Sequence, residues 1–470
     1  MTPLPPGPTP QASPLGGRAL SAELRTFRSP GGSHLFVVDG SRIYDVSEEL
    51  AARIESWTAS EDAAAPGAEV VWRALGLAGD SPRYVDASPL APPPLASLSL
   101  TVMQACNMSC GYCYADEGRF GGSARAMSLE VARAGVDRLI TESEPGVDLV
   151  LGYMGGEPLL NRRIVHEITR YAAGPAEEAG HRIRFSLTTN LTTLHPDDAR
   201  LFAEFPFTVT VSVDGARREN DALRRMKDGS GAYDRVLGGL EVLQRHGRPR
   251  HLGARVTVTP RSGDLLPVLD HLIGLGFDEV GFAAVLVSPD PTLAFSSADF
   301  PPFLDRMIAC GEKALGEIGA GRIYPFGNLE TALHQIYLGT HRPYPCGAGA
   351  AYLSSSAQGA LFACHRLIDD PGYAMGSVEA GSDLAARAGH LARSHVDRAE
   401  PCRSCWARYL CGGGCYHEVS RRGRIGCDYI RGWLEFCLRA YVELSAQRPE
   451  YFPVIAGRPE SVSSPTTVSS

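Results

Sequence analysis

Cys106, Cys110 and Cys113 fall within eight residues of the stretch QACNMSCGYCYADEG, between an apolar, strand-like run and a glycine-bearing loop. Thiolates are ligands for soft metals, and their spacing separates one metal from another. Zinc sites usually close a tetrahedron with paired C-x2–4-C knuckles, whereas this C-x3-C-x2-C run has no fourth Cys or His nearby. Three thiolates on a tight loop suit a cubane iron–sulfur cluster with one iron left open for chemistry. An incomplete zinc knuckle is the plainer alternative.

A second set lies downstream. Cys346-x12-Gly359-x4-Cys364 is followed by Cys402-x2-Cys405-x5-Cys411-x3-Cys415 and then by Cys427. A zinc ribbon is the alternative for C-x2-C-x5-C-x3-C alone. Cys310 and Cys437 complete the twelve cysteines and sit in amphipathic, helix-like segments, where a buried free thiol is the ordinary explanation. Cys437 could also replace Cys427 as a ligand. The N-terminus has no basic start followed by an apolar core, so no export signal is expected. The expected compartment is the cytoplasm, where thiols stay reduced and serve metals more readily than disulfides.

Elements must hold these thiols in place. A chain of 470 residues exceeds one compact core and suggests two or three domains. No apolar run approaches the roughly 18 residues that cross a bilayer, so no membrane partner is expected. The net charge of −8 is spread along the chain, and its basic clusters are interrupted by acids, which argues against a nucleic-acid partner. Residues 1–18 and 456–470 are rich in Pro, Gly, Ser or Thr and read as disordered. Residues 19–95 read as a small α+β module with a linker: HLFVVDG and SRIYDVS form a hairpin, EELAARIESW and AEVVWRALGL form helices, and SPLAPPPLA is extended.

Residues 96–300 alternate strand-like and helix-like segments. Strands are expected near 98–103, 147–154, 182–190, 207–214, 252–259 and 279–286, with helices near 128–142, 161–173, 196–204, 231–246 and 263–275. This is an α/β pattern of repeated βα units around a parallel sheet, in which functional loops leave the C-terminal strand ends. The triplet follows the first strand. Residues 301–455 form a cysteine-rich region with too little apolar periodicity to fold on a core of its own.

The triplet resembles the signature of the radical S-adenosylmethionine (SAM) enzymes, C-x3-C-x-aromatic-C, with Tyr112 at the aromatic position. That resemblance implies a partial (βα)6 barrel, a [4Fe–4S] cluster on Cys106, Cys110 and Cys113, and reductive cleavage of S-adenosylmethionine to a 5′-deoxyadenosyl radical. The GGEP of Gly155, Gly156, Glu157 and Pro158 is similar to the family motif that contacts the methionyl ammonium, with Glu157 as charge partner. Thr189 and Asn190 of TTN, and Ser212 and Asp214 of SVDG, match positions near the cofactor's ribose and carboxylate. The second cysteine set resembles the SPASM pattern. It implies two auxiliary [4Fe–4S] clusters, one on Cys346, Cys364 and Cys415, the other on Cys402, Cys405, Cys411 and Cys427. The first then has an open iron or a fourth ligand such as Cys310 or Cys437.

SPASM enzymes mostly modify peptides and proteins, so the resemblance implies a precursor peptide or small protein as substrate, an external electron donor, and a thioether or carbon–carbon crosslink as product. Anaerobic sulfatase maturases are the alternative, but they carry an acidic residue where this chain has His365. The CHR segment instead resembles maturases of ribosomally made peptides and of the quinohemoprotein amine dehydrogenase small subunit. His365 is a candidate proton acceptor or a structural imidazole. The N-terminal module is similar to leader-recognition domains, with a lid or dimerisation element as the alternative. A non-enzymatic iron–sulfur electron carrier is the reading from another class.

Overall fold

The computed structural model describes residues 20–59 and 88–456. The termini expected to be disordered lie outside these residues, apart from the end of a helix at Tyr451–Ala456, as does the helix expected in AEVVWRALGL.

The N-terminal hairpin forms as expected from strands β2 (Gly32–Val37) and β3 (Arg42–Val46), turning through Asp39-Gly40. The sequence reading missed a third strand, β1 (Leu24–Ser29), which pairs antiparallel with β2. Its LRTFRS alternates too weakly to signal a strand. Helix α1 (Glu48–Ala59) buries Ala51 and Ile54 against the sheet, where Ile54 meets Leu24, Leu35 and Val37.

Six parallel strands follow in sequence order: β4 (Ser97–Gln104), β5 (Leu149–Gly155), β6 (Ile183–Thr189), β7 (Phe207–Ser212), β8 (His251–Val258) and β9 (Glu279–Ala284). Helices cover one face. In β7 the apolar Phe207, Val209 and Val211 are buried while Thr208, Thr210 and Ser212 alternate with them on the half-accessible inner face. Phe185 of β6 stacks on Phe207 with ring centroids 5.2 Å apart. Each such fully buried side chain stabilises the fold by about 1.5–3 kcal/mol. The helix Leu129–Thr141 shows the covering layer: Ser128 caps its start, and Ala132, Val136 and Leu139 recur at helical spacing on the buried side. The basic stretch RRENDAL forms an additional short helix, Arg217–Leu223, that periodicity did not signal.

The sheet does not close on itself. Tyr352–Ser355 pairs parallel with β4, and Ala360–Phe362, Ala374–Ser377 and Gly381–Ser382 continue antiparallel from it, so the cysteine-rich region covers the first barrel edge. At the opposite edge the Asn328 side chain accepts from the Phe282 amide at 2.8 Å and donates to its carbonyl at 3.0 Å, acting as a strand partner. One buried apolar cluster runs from Phe27 through the barrel to Ile455, which explains how a region poor in periodicity folds: it borrows the barrel's core.

The N-terminal sheet rests on the cysteine-rich region. Arg408, fully buried, donates to both Glu23 carboxylate oxygens at 2.8 Å, Arg25 reaches Glu435 at 2.5 Å, and Phe36 meets Trp406 edge-on at 6.2 Å. The edge strand β3 pairs only with β2 among the described residues.

Candidate functional site

The triplet sits in the loop that leaves β4. Bracing comes from the next strand ends. The Gly156 amide donates to the Met103 carbonyl at 2.9 Å and the Glu157 amide to the Ala105 carbonyl at 3.0 Å, so GGEP lies directly against the chain entering Cys106. A Cβ at Gly156 would stand 2.8 Å from the Cys106 nitrogen, and closer still to the Ala105 carbonyl, which explains the glycine. Immediately after the triplet, Asp116, Glu117 and Phe120 all take positive φ, a local strain of the kind that gathers at functional loops.

Glu157 is fully buried and accepts three hydrogen bonds from its own chain: from the Leu159 amide at 3.0 Å, the Thr189 hydroxyl at 2.8 Å and the Asn190 amide at 2.7 Å. A carboxylate offers about four acceptor positions, so most of its capacity ties GGEP to TTN. Burial raises its pKa, opposed by those donors and by Arg224. Asn190 donates to Asn107 at 2.9 Å and lies 3.7 Å from the Cys106 sulfur. Tyr112 donates to Asp214 at 2.5 Å, and Asp214 also accepts from the Thr257 amide at 2.9 Å. Ser212 ends β7 beside them. Thus every barrel residue singled out by sequence lies at the same end of the sheet.

Sequence reasoning missed Arg224. It is buried, donates to Tyr112 at 2.8 Å, and leaves its Nε without an acceptor among the described residues. Burial pushes the Cys110 thiol up, and Arg224 is the strongest influence holding it down. Cys106 is pushed up to about 12, chiefly by burial and then by neighbours that include Glu157, Cys110 and Cys113. Crowded, buried thiols become thiolates only beside added positive charge, which is what an iron cluster brings. The donor set therefore fits the expected cluster, and the orphaned Arg224 nitrogen suits the carboxylate of its expected cofactor.

The downstream cysteines separate into two sets. Cys346 and Cys364 have each other and Cys415 as their cysteine neighbours. Cys402, Cys411 and Cys427 act on one another together with Cys405. Gly412, Gly413 and Gly414 all adopt positive φ, turning the chain from Cys411 in one set to Cys415 in the other within three residues. Amides of Ala348, Arg366 and Gly413 point at Cys346, Cys364 and Cys411, the outer support that thiolate ligands need. Arg342 faces both sets, near Cys346 and Cys411, with its Nε unsatisfied among the described residues. Among the described residues no three His, Cys, Asp or Glu side chains converge as a site for a single ion. A cubane, with irons at the corners of a box, takes thiolates spread more widely than one ion does.

Cys310 and Cys437 are fully buried, and neither has another cysteine among the groups acting on it, so the structure brings neither to the three-cysteine set. His365 is half-buried, 3.1 Å from the Tyr352 hydroxyl, and desolvation holds its imidazole down at about 4, hence neutral. The residue after it, Arg366, also went unread. It donates to Glu418 at 2.6 Å and approaches the Cys415 sulfur at 3.5 Å. No local sequence signal marks these arginines, because a thiolate's need for a nearby cation appears only once folding has buried it.

Residues 100–271 match the radical SAM superfamily. The serine-type anaerobic sulfatase-maturating enzyme of Klebsiella aerogenes is 25% identical over 352 residues, 72% of this chain and 83% of that protein. Among solved structures, the AdoMet-bound anSMEcpe aligns with TM-score 0.66 at 18% identity over 77% of this chain and 98% of that one. Streptococcus suis SuiB, solved with its precursor peptide SuiA, aligns with TM-score 0.50 at 15% identity over 87% of this chain and 98% of that one. Those structural likenesses establish the fold.

Proposed function

We propose that the chain, whose residues 100–271 match the radical SAM superfamily, is an enzyme that uses S-adenosylmethionine and a [4Fe–4S] cluster to modify a side chain of a ribosomally made peptide or small protein. The observation that carries this reading is the separation of seven downstream cysteines into two sets beside the triplet. Structural neighbours solved with bound peptides, SuiB with SuiA and anSMEcpe with the Cp18Cys peptide, support it.

In this reading Cys106, Cys110 and Cys113 hold the reactive cluster, and the other sets hold two auxiliary clusters. When bound, the cofactor pair supplies hydrogen-atom abstraction from an unactivated carbon. Glu157 fixes the GGEP turn against the Asn190 amide, beside which S-adenosylmethionine would bind. Tyr112 and Asp214 lock the triplet loop to β7 and β8, while Arg224 balances anionic charge. The polar inner face of the strands positions the target carbon. His365, neutral and held by Tyr352, is the candidate proton acceptor on the auxiliary side. The N-terminal module offers β3 as the edge to which a leader segment adds a strand. An external donor supplies the electron that primes each turnover.

The reading is tested by anaerobic incubation with short peptides encoded beside the gene, followed by tandem mass spectrometry. Loss of two hydrogens with a crosslinked fragment pattern is expected. A second reading, oxidation of a Cys or Ser on a sulfatase, is favoured by the Klebsiella relative. It predicts an aldehyde instead of a crosslink.

A further inference from the structure

Between the triplet and the three-cysteine auxiliary set lies a continuous line of contacts. Tyr114 follows Cys113 directly, and its half-buried ring lies in the electrostatic field of Cys113, Cys364 and Cys415. The Arg366 guanidinium stacks over that ring at 4.7 Å, and the His417 ring meets it from another side at 5.4 Å. Arg366 then reaches the Cys415 sulfur at 3.5 Å and is anchored by Glu418 at 2.6 Å. Arg366 therefore belongs to three neighbourhoods: Cys364 two residues before it, Cys415 across from it, and Tyr114 beneath it.

An aromatic platform and a carboxylate fix the planar fork of an arginine more tightly than a point-charge lysine would be held. The reduced state of an iron–sulfur group carries one more negative charge than the oxidised state. A cationic N–H at one of its sulfurs favours that state, and hydrogen bonds to sulfur are a recognised control of potential. Glu418 opposes the effect by neutralising part of the arginine. The second auxiliary set has its own arginine, Arg431 beside Cys405, and does not depend on this one.

We propose that Arg366, stacked on Tyr114 and anchored by Glu418, is a positioning residue that raises the reduction potential of the auxiliary cluster on Cys346, Cys364 and Cys415. The proposal rests on the three-cluster reading above and concerns the potential alone.

The test is an EPR-monitored redox titration of anaerobically reconstituted full-length protein, with iron counted on every sample. Arg366→Gln should move one auxiliary midpoint to more negative potential and leave the other auxiliary midpoint in place. Glu418→Gln should move the same midpoint in the opposite direction, and Arg366→Lys should restore part of the shift. Tyr114→Leu, which removes the platform, should shift it in the direction of Arg366→Gln by less. Unmoved midpoints in both Arg366→Gln and Glu418→Gln, at wild-type iron content, would overturn the proposal. Shifts of equal sign in those two variants would overturn it as well. Wild-type protein lacking any auxiliary signal would instead remove the three-cluster reading on which it stands.

Discussion

The triplet and the auxiliary sets solve one problem, holding thiols around iron, by different means. The triplet comes from nearly consecutive residues on one loop, braced by backbone hydrogen bonds from the ends of β5 and β6. The auxiliary thiols are gathered from Cys346 to Cys427 by loops that share the barrel's core and carry buried arginines and histidines between them. A site built by strand ends depends on close backbone approach. A site gathered by loops depends on charge and on distant contacts.

This difference gives perturbations of decreasing size. Replacing Cys106, Cys110 and Cys113 together with Ala should abolish 5′-deoxyadenosine formation while removing only about four irons per chain. Persistent 5′-deoxyadenosine would contradict the triplet's role, and loss of all iron would mean that the two regions do not assemble independently. Gly156→Ala forces a Cβ against Ala105 and should cost about 10²-fold in cofactor cleavage through misplacement of the triplet loop. A comparable loss of auxiliary signals would erase the contrast.

Arg408→Ala removes the buried guanidinium that donates to both Glu23 oxygens and should destabilise the N-terminal docking by about 3–5 kcal/mol, read by chemical denaturation. Replacing both residues with apolar ones of similar volume should recover much of that. If the single and double variants are equally unstable, packing rather than charge holds the module.

Acid gives the smallest effect. Burial holds His341, His365 and His390 at about 4 and His417 at about 3. Their folded-state values lie below the unfolded value of about 6.5, so they stabilise the fold above that pH and lose this contribution as pH falls toward 4. In the barrel, burial raises Asp198, but donors from His166, the His195 amide and Arg162 outweigh it and leave its value below the ordinary one. Its contribution survives to lower pH. Hydrogen exchange between pH 7 and 4 should show the cysteine-rich region opening before β5–β7, and the reverse order would refute this assignment of weak points.

Much of the barrel was legible because apolar and polar residues alternate along β7 and β8 with a period of two, facing helices on one side and a half-open interior on the other. The triplet and GGEP were legible because short, local spacing survives in one dimension. Other features were invisible for physical reasons. β1 carries two arginines whose partners, Glu435 and Glu55, lie far away in sequence, so its pattern reads as loop. Arg224, Arg342 and Arg366 gain meaning only when folding lowers the dielectric around thiols. The pairing of Tyr352–Ser355 with β4 could not be read either, because a parallel partner so distant in sequence leaves no local mark.

The central claim is that three separate thiol sets hold three clusters. Anaerobic reconstitution of the full chain, with iron and sulfide counted and the clusters resolved by Mössbauer spectroscopy, tests it most directly. About twelve irons per chain, all in [4Fe–4S] form, with about four lost in the triple Ala variant, is the result predicted. About four irons per chain in the unaltered protein would contradict it.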